Sequence, residues 1–201
     1  MKQYVNMILA SGSPRRKELL TQAGLTFRVM VSNEEEKTTA SEPSEVVKEL
    51  ALLKSRSVLS ALKKEAGDTL ADNTVIIGAD TIVVRDGVIL GKPADEEDAL
   101  NILMSLSGRK HQVLTGVCAL YNESPTIHFA EETLVEFTSY TEKEARAYIA
   151  TKEPMDKAGA YGIQGLGSFL VKGITGDFHS VMGFPLGSFL RQGMSLGWFA
   201  I

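Results

Sequence analysis

The chain has 201 residues, of which 44% are hydrophobic and 23% charged, with a formal net charge of -4. That is the balance of a soluble globular protein with enough residues for a sizeable core in one compact domain or two closely merged lobes. The acidic sign excludes a general nucleic-acid binder, so any polyanion site must be a local cluster of cations. No apolar run approaches membrane-spanning length, and the short apolar stretch after Lys2 is interrupted at Ser13-Pro14-Arg15-Arg16, so it does not read as a signal peptide.

The first informative stretch runs from Met7 to Leu20. Met7-Ile8-Leu9-Ala10 reads as a buried strand, Ser11-Gly12-Ser13 as a tight turn, and Pro14 as the start of a helix. Ser13 suits the N-cap, Pro14 the first helical position, and Gly24 the C′ stop. Arg15, Arg16 and Lys17 oppose the helix dipole, so they are badly placed for helix stability alone. Together with exposed amides and two hydroxyls they favour an anion, and phosphate above all. The spacing is not that of a P-loop.

Thr26 to Val31 reads as a strand that ends in Ser32-Asn33-Glu34-Glu35-Glu36-Lys37. Three successive carboxylates make a solvated loop or, at a strand end, oxygen ligands for Mg²⁺ or Mn²⁺. Pro43-Ser44 opens a long helix whose apolar stripe includes Val46, Val47, Leu50, Leu53, Val58, Ala61 and Leu62, with Lys54 beside it. Thr74-Val75-Ile76-Ile77 is a short strand that exits through Gly78-Ala79-Asp80-Thr81. Asp80 lies between apolar runs, where a carboxylate must be paired, hydrogen-bonded or bound to a metal. Ile82-Val83-Val84 resumes the strand, Asp86-Gly87 signals a hairpin, and Gly91-Lys92-Pro93 leaves a cation at the end of the returning strand.

Asp95 caps a helix to about Leu106, with Gly108 beyond it. His111 to Tyr121 and Thr126 to Phe137 read as long antiparallel strands joined at Asn122-Glu123-Ser124-Pro125, and Thr141 to Glu144 as a capping box opening a helix to Ala150. Cys118 is the sole cysteine, so no intrachain disulfide can form and a cytoplasmic setting fits; the thiol reads as packed. His111, His128 and His179 lack metal-ligand spacing. Eight of the eighteen glycines fall between Gly159 and Gly187. Such density suits close backbone approach to a ligand or a structural loop. Gly162, Gly165 and Gly167 reverse the dinucleotide fingerprint. Tyr161 and Gln164 are candidates to stack on or read a base. Phe169-Leu170-Val171 reads as a strand, Gly176-Asp177 as a turn, and Pro185 as the start of a last helix.

Leu9 to Leu20, Gly78-Ala79-Asp80-Thr81, Gly91-Lys92-Pro93, Leu106-Ser107-Gly108, Asp156 to Gly165 and Val181-Met182-Gly183-Phe184-Pro185 together resemble the Maf family, the septum-formation-inhibitor-like nucleotide pyrophosphatases. The resemblance spans almost the whole chain. It implies an α/β fold similar to the inosine-triphosphate pyrophosphatases (the Maf/Ham1 type), an elongated mixed sheet flanked by helices with a cleft between two lobes of one domain, 1–201. It also implies cleavage of a nucleoside triphosphate to monophosphate and pyrophosphate with a divalent metal, Mg²⁺ or Mn²⁺.

Asp80 matches the family's proton acceptor. Arg15, Thr81 and Gln164 match positions tied to base selection in the branch acting on dTTP and UTP. Ser11, Arg16, Lys54 and Lys92 resemble the phosphate-facing groups of the family cleft. Glu36 resembles its further acidic metal ligand, with Glu34 and Glu35 as alternative registers. Asp80 as base, as metal ligand, or as both stays open at this point. The implied partner is a small nucleotide, with neither nucleic acid nor membrane, and a homodimer is left open. House-cleaning of modified nucleotides and a link to cell-division arrest belong to the same resemblance. Two alternatives stand beside it: the related branch acting on 7-methyl-GTP, and a non-catalytic nucleotide-binding regulator of septum formation.

Overall fold

A computed structural model describes residues 1–31, 37–66 and 73–201. In chain order the elements are β1 (Lys2–Gln3), β2 (Asn6–Leu9), α1 (Pro14–Gln22), β3 (Arg28–Val29), α2 (Pro43–Ala66), β4 (Thr74–Arg85), β5 (Val88–Leu90), α3 (Glu96–Leu106), β6 (Lys110–Tyr121), β7 (Ser124–Phe137), α4 (Glu142–Ala150), β8 (Val171–Thr175), α5 (Phe178–Met182), α6 (Leu186–Ser195) and β9 (Phe199–Ala200), with short 3₁₀ turns between α4 and β8. The strands are hydrogen-bonded in the order β3-β2-β4-β6-β7-β8, with β5 on β4, and β1 pairs separately with β9. β2 is parallel to β3 and β4, whereas β4–β5 and β7–β8 are antiparallel. The class is therefore mixed α/β. No helix among the described residues is long and apolar enough to cross a membrane.

The chain divides into two compact units: 1–80, 115–131 and 183–201 form one, and 81–114 and 132–182 the other. In the first unit, α1 follows its sequence signals closely. The Ser13 side chain accepts from the Arg16 amide, and Pro14 occupies the first turn. Gly24 takes φ 74°, while Gly24 N donates to Thr21 O and Leu25 N to Leu20 O, the paired bonds of a Schellman stop. α2 buries Val46, Val47, Leu50, Ala51, Val58 and Leu62. It meets the sheet at two glycines. A Cβ on Gly78 would lie 2.2 Å from Ala51 O, and one on Gly116 would lie 2.2 Å from Val47 O. Ser55 Oγ donates to Cys118 O at 3.0 Å and closes the seat.

The core of the second unit joins Leu100, Leu103 and Leu106 of α3 to Tyr148 and Ile149 of α4 and to Phe137, Tyr161 and Leu170. Asp95 caps α3 by accepting from Asp98 N, and Thr141 with Glu144 forms the expected capping box on α4.

Four expectations change. β4 runs unbroken from Thr74 to Arg85, so Gly78-Ala79-Asp80-Thr81 is strand and not a strand exit. The strand at 26–31 shortens to Arg28–Val29. Asn122 and Glu123, at φ 48° and 67°, make a two-residue turn, and Ser124 and Pro125 already belong to β7. Phe169 and Leu170 are 3₁₀ turn, with the strand beginning at Val171. The Asp86-Gly87 turn, at φ 51° and 78°, is the one expected.

Candidate functional site

In the first unit the polar groups of the opening motif are tied to one another. Ala10 N extends the ladder past β2 by donating to Ile77 O at 2.7 Å. The next residue, Ser11, accepts through Oγ from Ser13 N at 3.2 Å and from Arg16 Nη1 at 3.1 Å. With both lone pairs engaged, its own O–H is left as a donor. Arg16, only 9% exposed, also donates from Nε to Gly183 O at 2.7 Å. The cation that opposes the helix dipole thus holds a backbone carbonyl and a hydroxyl of the same unit. Arg15 is half-buried and Lys17 exposed.

The second group is a buried ion pair. Lys54 Nζ lies 2.5 Å from Asp80 Oδ1, with the two side chains 12% and 10% exposed. Gly78 explains the pairing: without a side chain there, Ala51 and Ser55 of α2 press onto β4, and the adjoining Lys54 comes within reach two residues further along the strand. Asp80 shares the Gly78 face, and alternation assigns Thr81 to the other. A buried carboxylate left alone would carry a large desolvation penalty, and Lys54 offsets it.

In the second unit, Gly159 N donates to Gly91 O at 2.9 Å, which ties Gly91-Lys92-Pro93 to the glycine-rich stretch. Gly159 is at φ 70°, and a Cβ there would lie 2.8 Å from a Val83 methyl. Lys92 is exposed, while Thr81 and Gln164 are half-buried. Tyr161 is not a base-stacking group. It is 5% exposed, its hydroxyl lies 2.8 Å from His111 Nε2, and its ring stacks edge-on to Phe137 at 4.7 Å. Burial lowers the His111 pKa to about 4. Tyr148 and Glu153, not singled out in the sequence, hold backbone amides of the Gly162–Gly167 loop. The glycine density is the sequence signal that some group must reach that backbone.

Ser11, Arg15, Arg16, Lys54 and Asp80 therefore fall in one unit, and Thr81, Lys92 and Gln164 in the other. Within the first, Ser11 bonds Arg16 and Lys54 bonds Asp80. Glu34, Glu35 and Glu36 lie outside the described residues. Among the described residues no three His, Cys, Asp or Glu groups cluster as a cation site. Asp80 alone still suits Mg²⁺ or Mn²⁺, since such ions take one or two protein carboxylates and fill their other positions with phosphate oxygens and water.

A family model described as "Maf-like protein" matches residues 6–192. A dTTP/UTP pyrophosphatase of Bacillus cereus is 48% identical over 187 residues, covering 92% of this chain and 93% of its own. A dTTP/UTP pyrophosphatase of Bacillus cytotoxicus is 48% identical over 193 residues, covering 96% and 94%. Among solved structures, the Ham1 protein of Staphylococcus aureus is similar at 16% identity and a TM-score of 0.44, covering 83% of this chain and 79% of that one. A nucleoside-triphosphatase / dITP/XTP pyrophosphatase of Mycobacterium abscessus is similar at 13% identity and a TM-score of 0.42, covering 96% of both.

Proposed function

This chain belongs to the Maf family, and from that premise we propose that it hydrolyses dTTP and UTP to the nucleoside monophosphate and pyrophosphate. The observation that carries the chemistry is the buried Asp80 carboxylate, its charge compensated by Lys54 at 2.5 Å. Asp80 takes a proton from water as the water oxygen attacks the α-phosphorus. The bond from that phosphorus to the α–β bridging oxygen breaks, and pyrophosphate leaves with the electron pair. General-base assistance of this kind contributes ~10²–10⁴-fold. Ser11, its lone pairs engaged, donates to a phosphate oxygen, and Arg16 fixes its orientation. Arg15, Arg16, Lys54 and Lys92 stabilise phosphate charge. Asp80, with Glu36 beyond the described residues, would hold Mg²⁺ or Mn²⁺, which when bound neutralises phosphate oxygens.

Arg15, Thr81 and Gln164 select the base. Uracil and thymine offer two carbonyl acceptors and one N–H donor, which arginine and an amide group complement. Cytosine exchanges a carbonyl for an amine and the N–H for an acceptor, leaving buried groups unmatched at about 1–3 kcal/mol each. The proposal takes 1–201 as one domain containing both units. The single cysteine supports a cytoplasmic setting. A homodimer, house-cleaning of modified nucleotides and a link to septum formation rest on the family resemblance alone.

The test is a nucleotide panel with Mg²⁺ or Mn²⁺, assayed separately for pyrophosphate and orthophosphate. The expected result is pyrophosphate release from dTTP and UTP well above CTP, dCTP, ATP and GTP. A preference for 7-methyl-GTP, or stoichiometric orthophosphate with a diphosphate product, overturns the assignment. Hydrolysis of nothing on the panel favours the regulator.

A further inference from the structure

Lys152-Glu153-Pro154 carries no recognisable motif, yet Glu153 is the hub of the loop that bears Gln164. Its Oε1 accepts the Tyr148 hydroxyl at 2.9 Å and the Gly167 amide at 3.0 Å, and its Oε2 accepts the Leu166 amide at 3.1 Å. The Tyr148 oxygen, having donated, accepts the Gly162 amide at 3.1 Å. One carboxylate and one phenol therefore fix the backbone on both sides of Gln164. Burial pushes the Glu153 carboxyl up, but the Gly167 amide, the Tyr148 hydroxyl, the Leu166 amide and the Lys157 charge outweigh it and hold the group below the ordinary glutamate value.

The glycines make room for this arrangement. A Cβ on Gly167 would lie 2.2 Å from Gly162 O and 2.6 Å from the Tyr148 hydroxyl. At Gly165, with φ +66°, it would lie 2.9 Å from Glu153 Oε2. Three donors converge on two oxygens, so the group must be an acceptor throughout, as only a carboxylate is. A glutamine would turn an N–H₂ toward at least one of them.

We propose that Glu153 is a positioning residue for base selection, an acid that sets the course of the Gly162–Gly167 backbone and through it the place of the Gln164 amide. The inference rests on the reading of Gln164 as a base-selecting residue. Glu153 acts through the loop, by way of backbone amides, so its loss is felt in which base is accepted more than in the chemical step.

The experiment compares kcat/KM for UTP with that for CTP in the wild type, E153Q, Q164A and the double variant, with thermal midpoints alongside. E153Q is expected to lower the UTP-to-CTP ratio about tenfold, through KM for UTP more than through kcat. The double variant should then select no worse than Q164A. A Q164A enzyme with the wild-type ratio removes the base-selection reading itself. Lost selectivity in Q164A beside an unchanged ratio in E153Q, or additive losses in the double variant, overturns the role of Glu153 alone. Should E153Q not fold, Y148F decides in its place, because it deletes only the hydroxyl between Glu153 and the Gly162 amide: a lowered ratio supports the role and an unchanged one overturns it.

Discussion

In the first unit the polar groups sit on regular elements. Asp80 lies within β4, Lys54 within α2 and Arg16 in the first turn of α1, and each is compensated by a side chain or carbonyl of another segment. In the second unit Gln164 lies on a loop whose course is set by backbone amides bonded to Glu153 and Tyr148. The first arrangement fixes side chains through packing of the core. The second fixes a backbone through one anion. Damage to the seat of α2 should therefore cost stability along with activity, whereas damage to the loop should alter selectivity while the unit stays folded.

Two glycines with the same clearance separate these outcomes most sharply. Gly78→Ala sets a Cβ 2.2 Å from the carbonyl of Ala51, a backbone atom that cannot turn aside. We expect a loss of about 3 kcal/mol in urea unfolding, and a variant of wild-type stability would show that α2 is not seated there. Asp80→Asn should lower turnover by at least ~10²-fold with the far-UV circular dichroism unchanged; near-normal turnover would remove Asp80 from the chemistry.

His111 supplies a pH test of the second unit's core. It is buried and neutral, with its pKa lowered to about 4 from an ordinary 6.5. Between those values the unfolded chain binds a proton that the folded chain does not, so stability rises with pH across the window and falls on acidification. The expected loss from pH 7.5 to pH 5 is about 2 kcal/mol. Glu153, its carboxyl held below the ordinary glutamate value, loses its own contribution in the same direction as pH falls through that ordinary value. His111→Gln should flatten the pH dependence; an equally steep curve would assign it to other groups. The smallest effect is expected from Gly167→Ala, whose Cβ would also lie 2.2 Å from a carbonyl, that of Gly162. It should cost about tenfold in the UTP-to-CTP ratio. Global unfolding at the scale of Gly78→Ala would instead make the loop part of the core.

What is legible in the sequence follows the range of the forces involved. The caps of α1, α3 and α4 and the Asp86-Gly87 turn depend on residues within a few positions of one another, and the structure has them as the sequence reads. Asp80 reads as a strand exit because its compensating cation is 26 positions away on a helix. The phosphate reading of Arg16 comes from its local motif, whereas its bond to the Gly183 carbonyl, 167 positions on, has no local signal. Tyr161 reads as a base-stacking group because nothing local announces His111, 50 residues earlier. Glu153 leaves only an indirect trace, the absence of side chains at Gly162, Gly165 and Gly167, which marks where something approaches without saying what.

The closed seat of α2 also gives the protein an internal reporter. Cys118 is the sole thiol, fully buried on β6 where Ser55 bonds its carbonyl, and burial pushes its pKa up to about 11. At neutral pH it is both screened from reagents and almost wholly un-ionised, so alkylation must wait for the helix to lift from the sheet. The labelling rate of the unmodified protein thus measures how often that seat opens, and nucleotide that tightens the seat should slow it.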